Sequence, residues 1–312
     1  MKHHLALILL LILIAGCSPE PVPTPTVPPE PTMTASPIPA TATFTPSPLP
    51  PTATFTPPPT PLPGKLVFPI DTLGKTIPWL PLDESARQVV HYIAFNTLRP
   101  PFNSALVRRA FASTVDRQAI YEMAEKYKAR EPSPATTLTP PTVMGRDLYN
   151  EVGAQFDPAR AKELLIEAGY TDLSTFPVVT IIVSAYGDIA PGARFNMASA
   201  MAEMWKTHLG VSVKVEAIQT FNAYGERIKN NPPEMFWQGW AADVNDPDNF
   251  LREIFHSGSQ YNYGYFMNSE FDRLVDRAEK SKDPAERQEL YIQAERLLCE
   301  AEAALIPLYH TR

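Results

Sequence analysis

Three carboxylates follow an indole within nine residues in Trp240-Ala241-Ala242-Asp243-Val244-Asn245-Asp246-Pro247-Asp248. Such a set can take a cation, either a metal ion on its oxygens or an ammonium group on a charge-assisted hydrogen bond. Calcium fails on spacing. With Asp243 as the first ligand of an EF-hand loop, Pro247 falls on the fifth position, no glycine follows it, and Ile254 stands where the bidentate glutamate belongs. Aspartate-rich loops are first of all turn chemistry, and two of the three have local work. Asp246 precedes Pro247 as a helix N-cap precedes a proline at the first helical position, and Asp248 suits the positive end of the helix dipole. Asp243 has no such duty. Beside Trp240, and with Asn245 as a further polar group, it is the candidate carboxylate for a cation, and no residue is singled out as catalytic or metal-ligating.

A loop of this kind has to be delivered by a strand. Met235 to Gly239 is apolar and aromatic, of strand length, and a helix is expected from Asp246 onward. Strand-to-helix loops at the carboxyl ends of α/β strands are where such sheets bind ligands. The flanking chain alternates in the same way. Val89 to Phe95 reads as a strand. Helical periodicity then runs from Ala105 to Val115 and restarts at Asp116-Arg117, and Glu131 to Pro141 reads as a loop. Asp157-Pro158 opens a helix that Gly169 ends. Val178 to Val183 is a buried strand, Phe195 to Trp205 an amphipathic helix closed by Gly210, and Val211 to Glu216 a half-buried strand. Phe221 to Ile228 is a short helix. Phe271, Leu274, Val275 and Ala278 share a helix face, and Asp283-Pro284 opens a second helix with Glu286 expected to close a capping box. Leu290, Ala294, Leu297, Leu298 and Ala301 form that helix's apolar stripe, and Ala304 to Tyr309 is a last strand. Alternating strands and helices place the folded part in the α/β class, a mixed sheet flanked by helices.

Composition sets the boundaries. The chain has 312 residues and a formal charge of −7 from 27 basic and 34 acidic side chains, without the basic footprint of a nucleic-acid binder. Leu5 to Ile14 is apolar but too short to span a bilayer, which suits a signal-peptide core. Ile14-Ala15-Gly16-Cys17 resembles the bacterial lipobox. The resemblance implies cleavage before Cys17, a diacylglyceryl group on its thiol, and an extracytoplasmic protein anchored to the outer face of a bacterial membrane. Residues 1–17 are thus a lipoprotein signal peptide. Residues 18–64 are a Pro/Thr-rich linker in which Thr41-Ala42-Thr43-Phe44-Thr45-Pro46 recurs as Thr52-Ala53-Thr54-Phe55-Thr56-Pro57. That composition cannot build a core, so a disordered stalk is expected, reaching about 140 Å if fully extended. Residues 65–312 are the folded part.

Four segments of that part carry a family resemblance. Asn96-Thr97-Leu98-Arg99-Pro100-Pro101-Phe102-Asn103 with Val107-Arg108-Arg109-Ala110 and Val115-Asp116-Arg117 is the first. Phe156-Asp157-Pro158-Ala159-Arg160-Ala161-Lys162-Glu163-Leu164-Leu165 with Ala168-Gly169-Tyr170 is the second. Gly239-Trp240-Ala241-Ala242-Asp243 with Asp246-Pro247 is the third, and Leu290-Tyr291 to Glu295 with Ile306-Pro307-Leu308-Tyr309 the fourth. Together they resemble family 5 extracellular solute-binding proteins, the peptide- and oligopeptide-binding components of ABC importers. The resemblance implies a periplasmic-binding-protein-like (type II) fold that closes two lobes on a peptide, with an ABC permease as partner. It also implies that Asp243 pairs with the peptide's free α-amino group and that Trp240 walls the pocket. It covers one lobe, so a second lobe from another chain or a homodimer is expected.

Two other functions compete. A tethered single-lobe interaction or sensor module that no longer binds solute would display Trp240, Tyr261, Tyr263, Tyr265 and Phe266 as an exposed aromatic patch. An enzyme would need a catalytic constellation, yet no nucleophile elbow, zinc helix, phosphate loop or dinucleotide glycine pattern occurs, and no cofactor is implied. His91, His208, His256 and His310 lack ligand spacing, Cys299 falls in the apolar periodicity of the last helix, and Arg108-Arg109 reads as a solvated face.

Overall fold

The computed structural model describes residues 88–186 and 190–312, all within one compact unit. The expected signal peptide, lipobox and stalk lie outside the described residues. Helix starts follow the capping logic of the sequence. After β1 (Val89–Phe95), α1 (Ala105–Ala112) ends and Asp116 caps α2 (Arg117–Lys126) by accepting from the Ala119 N–H at 3.1 Å. The Pro/Thr-rich segment is not all loop: β2 (Ser133–Pro134) adds a short strand at the sheet margin, and α3 (Pro141–Met144) follows. Asp157 caps α4 (Pro158–Glu167), and Gly169 leaves it at a φ of +97°. Next come β3 (Val179–Ser184), α5 (Ala193–Leu209), β4 (Val213–Ile218), α6 (Phe221–Asn230) and β5 (Met235–Ala241). The helix expected from Asp246 is split into a 3₁₀ turn, Pro247–Asn249, and a short α7 (Leu251–Phe255). Finally, α8 (Ser269–Lys280) and α9 (Pro284–Arg296) lead to β6 (Leu305–Thr311).

The strands form one mixed sheet in the order β2-β6-β1-β5-β3-β4. β3 is parallel to β4 and β5, while β1 runs antiparallel to β5 and β6. The carboxyl ends of β3, β4, β5 and β6 and the start of β1 therefore share one rim. Side chains alternate across the strands and divide the core. Ile93, Phe95, Ile181, Val183, Met235 and Trp237 face the helices α1, α2, α4 and α5, where Phe111, Ile120, Leu164 and Trp205 are buried. Tyr92, Ala94, Ile182 and Phe236 face the other layer, where Ile228, Ile254, Phe271, Leu274 and Leu290 come from α6 to α9. Helices on both faces bury the strands on both sides, which accounts for the near-continuous apolar runs of β1 and β3.

Three sequence expectations change here. Arg108 is not on a solvated face. It is buried, its Nε donates to the Glu302 carbonyl at 2.9 Å, its Nη1 to the Phe102 carbonyl at 2.8 Å, and its Nη2 pairs with the Glu302 carboxylate at 2.9 Å. Glu286 does not close a capping box. Its carboxylate accepts from Ser281 Oγ at 2.7 Å and meets Arg277 at 3.1 Å, while the Asp283 N–H donates to Ser281 Oγ at 3.3 Å instead. Ala301 leaves the apolar stripe, since α9 widens into a π turn over Leu297–Ala301 and Ala301 rotates to solvent.

A buried polar seam pins the strap before α3. The Glu295 carboxylate accepts from the Leu138 N–H at 2.9 Å and the Thr139 N–H at 2.7 Å, and Cys299 Sγ lies 3.3 Å from it. Burial raises the Glu295 pKa, and these hydrogen bonds work against the rise. From the opposite side, His310 Nε2 stands 3.1 Å from the Thr137 carbonyl and 3.3 Å from that of Leu138.

Candidate functional site

The candidate loop leaves the carboxyl rim where β5 and β1 stop pairing. Ala241 is opposite Val89, and the Ala242 N–H extends the ladder by donating to the Gln88 carbonyl at 2.8 Å. Asp243 is the first residue beyond the ladder and is exposed. Its N–H donates to Asn249 Oδ1 at 3.0 Å, and the same oxygen accepts from Trp240 Nε1 at 3.2 Å. One amide thus fixes both the backbone of the candidate carboxylate and the ring of the candidate wall. Trp240 is half-buried, with the Tyr261 ring edge-on at 5.0 Å.

The other two aspartates are engaged within the lobe. Asp246 caps the 3₁₀ turn through the Asp248 N–H at 2.8 Å and takes a two-pronged contact from Arg287 of α9, at 2.9 and 2.8 Å. Such paired Arg–carboxylate bonds fix geometry as well as charge. Arg287 also donates to the Tyr291 hydroxyl at 2.9 Å and the Ala278 carbonyl at 3.0 Å, with its guanidinium 4.8 Å from the Tyr291 ring centre. The Tyr291 hydroxyl in turn donates a hydrogen bond to Asp248 Oδ1 at 3.0 Å. Burial raises the Asp248 pKa, partly offset by that hydrogen bond, and burial likewise dominates the rise at Tyr291. At Arg287 burial acts downward, but Asp246, Tyr291 and Asp248 together outweigh it and the net shift is upward.

Asp243 and Trp240 are therefore brought together, with Asn249 as their common tie. Asn245 is exposed and its side chain makes no hydrogen bond among the described residues. Sequence reasoning missed Asn249, Arg287 and Tyr291. The one available signal was an amide ending a short capped turn, a type that reaches back to loop N–H groups.

The aromatic residues do not form one exposed patch. Trp240, Tyr261 and Tyr263 are half-buried near the loop, but Phe266 is 3% exposed and packs on Phe271 at 5.5 Å. Asn262 brackets the Phe266 main chain, with its Nδ2 on the carbonyl at 2.6 Å and its Oδ1 on the N–H at 3.0 Å, which turns the ring inward. Tyr265 is exposed at the opposite rim, where Thr97 Oγ1 donates to its carbonyl at 2.8 Å.

The histidines stay scattered. His91 is buried against Tyr309 at 4.5 Å, His208 meets Phe156 edge-on, His256 lies 3.5 Å from Asp276, and His310 holds the strap. Cys299 is buried, and burial raises its thiol pKa. Among the described residues, no group of three or more His, Cys, Asp or Glu is placed to hold a metal, and no helix is long and apolar enough to cross a membrane.

A mixed sheet covered on both faces, with an acidic loop at the carboxyl rim, defines one lobe of a periplasmic-binding-protein-like fold. The chain belongs to the bacterial extracellular solute-binding proteins, family 5, whose middle-region pattern matches residues 60–262. It is similar to the probable deoxycholate-binding periplasmic protein YgiS of Escherichia coli K12, with 34% identity over 223 residues, 70% of this chain and 39% of that one. The periplasmic oligopeptide-binding protein OppA of Salmonella typhimurium is 30% identical over 224 residues, with the same coverage of 70% and 39%. Among solved structures, a dipeptide-binding protein from Pseudoalteromonas sp. SM9913 in complex with Met-Leu is 28% identical, with a TM-score of 0.62 over 72% of this chain and 44% of that one. The chain spans about four-tenths of the length of these curated relatives, 39% in each case. Their names describe binding proteins.

Proposed function

We propose that this lobe forms one wall of the solute site of an extracytoplasmic receptor serving an ABC importer. Its solute is a peptide, whose free α-amino group docks on the Asp243 carboxylate beside Trp240, with Asn245 as a further polar contact. A second lobe, facing the same rim, closes over the ligand. The observation that carries this reading is the placement of Asp243, exposed at the carboxyl rim, with its N–H and the Trp240 indole fixed by the same Asn249 oxygen. A carboxylate held in this way meets an ammonium directionally, and closure of a cleft would strengthen the pair by removing water. Truncating one partner of such a desolvated pair costs ~2–5 kcal/mol. A lipid on Cys17 and the stalk of residues 18–64 would tether the lobe to the outer face of a bacterial membrane; the apolar run before the lipobox-like segment supports this.

The test is mass-spectrometric recovery of peptides bound to the purified chain, followed by titration of wild type and Asp243→Ala. Amino-terminal peptides bound by wild type and weakened at least tenfold by Asp243→Ala support the reading. No recovered peptide, together with identical titrations of the two proteins, removes it and leaves a tethered interaction lobe.

A further inference from the structure

We infer that Arg287 is a positioning residue for the amine site, acting on Asp243 and Trp240 from α9 through the 3₁₀ turn; the inference rests on the proposed peptide-binding reading. The physical links are continuous. Arg287 grips both oxygens of Asp246 at the start of the turn, and Tyr291, one helical turn further along α9, grips Asp248 inside it. Asp246 and Asp248 flank Pro247, whose ring leaves the turn little backbone freedom. The turn ends at Asn249, whose amide oxygen receives both the Asp243 N–H and the Trp240 indole N–H. The Asp243 backbone and the Trp240 ring are therefore tied, through the turn, to a helix outside the loop.

The same contact has an electrostatic role. Asp243, Asp246 and Asp248 lie within six residues, and like charges so close repel. The Arg287 guanidinium neutralises one of the three and lies near a second, which limits repulsion in the loop. Its backing makes the clamp rigid: Nε is tied to the Ala278 carbonyl of α8, and the guanidinium stacks over Tyr291. Lysine cannot reproduce a two-pronged, stacked contact.

The experiment uses the full chain, a random tripeptide library and the same library N-acetylated. Affinities of wild type, Arg287→Lys, Asp243→Asn and the double variant are compared, with circular dichroism as a check on folding. Arg287→Lys is expected to weaken free-amine tripeptides about tenfold, to leave the residual binding of acetylated ones unchanged, and to add nothing once Asp243→Asn is present. Should Arg287→Lys not fold, Tyr291→Phe removes the Asp248 contact alone and is expected to give the same amine-selective loss in smaller measure. Equal losses for free and acetylated tripeptides, or losses that add in the double variant, overturn the positioning role while leaving the proposed function intact. Absence of amine-dependent binding in wild type overturns both.

Discussion

Acid is expected to destabilise this lobe through His310, and the size of the effect follows from its surroundings. His310 is buried on β6, and its Nε2 faces two carbonyl oxygens, those of Thr137 and Leu138. Both partners are acceptors, so Nε2 carries the proton of the neutral ring. Protonation would place a second hydrogen on Nδ1, which is buried without a partner. Burial accordingly lowers the His310 pKa to about 4, against 6.5 for the free side chain. The unfolded chain then binds more protons than the native one between these values, so stability rises as pH rises through that window and is lost as pH falls through it. At ~1.4 kcal/mol per pKa unit, the loss between pH 7 and pH 4 is about 3 kcal/mol. Glu295, on the other side of the same strap, works in reverse. Its raised pKa makes the native state the better proton binder above the ordinary carboxylate value, so its contribution falls as pH rises. Urea unfolding of wild type and His310→Gln at pH 7, 5.5 and 4 separates the two, because the Glu295 contribution is common to both proteins. Wild type is expected to lose about 3 kcal/mol more than the variant over that range. Parallel pH profiles would refute the linkage.

Glu295→Ala leaves the Leu138 and Thr139 N–H groups buried without an acceptor, at ~1–3 kcal/mol each, and is expected to lower the thermal midpoint steeply; a loss below about 1 kcal/mol would contradict the role given to this carboxylate. Arg108→Ala is expected to cost about 3 kcal/mol through its buried contacts with Glu302 and Phe102, whereas Arg109→Ala stays within about 0.5 kcal/mol, and chemical denaturation of the pair checks the contrast. Asn249→Ala removes one acceptor from two donors. It is expected to change Trp240 emission and to weaken amino-terminal peptides more than acetylated ones, and an unchanged spectrum would show that the indole is held by Tyr261 alone. Gly153→Ala is expected to fail as a folded protein or to melt far lower, since Gly153 has a φ of +90° and a Cβ there would lie 2.1 Å from the Thr136 carbonyl oxygen.

The parts of the fold legible in the sequence are those governed by neighbours along the chain. Asp116, Asp157 and Asp283 each precede a helix and each caps it, because the cap and its N–H partner are two or three residues apart. β1 and β3 show as apolar runs because helices cover both faces of the sheet. What stayed hidden depends on contacts across long separations. Arg108 finds Glu302 at a distance of 194 residues, and Glu295 finds Leu138 at 157. On a helical pattern, a charged residue that is buried and paired looks the same as one that is solvated. The inward turn of Phe266 depends on Asn262, four residues away but outside any regular element, so periodicity says nothing about it.

The candidate site shows the same division within a single loop. Capping logic separates Asp246 and Asp248 from Asp243 by local geometry alone, and the structure gives both of the former partners in the lobe. Local geometry could not supply the reason the separation is firm. Without Arg287, 41 residues on, Asp246 would remain a second exposed charge three positions from Asp243, and an incoming ammonium could distribute between them. A receptor that must orient its ligand needs one acceptor rather than two. On the proposed reading, the residue that keeps Asp246 from competing for the amine is therefore on α9, in a helix whose sequence reads as ordinary amphipathic surface. That placement also explains why the loop looks so much like a cation-binding turn: the charge that answers it comes from another element.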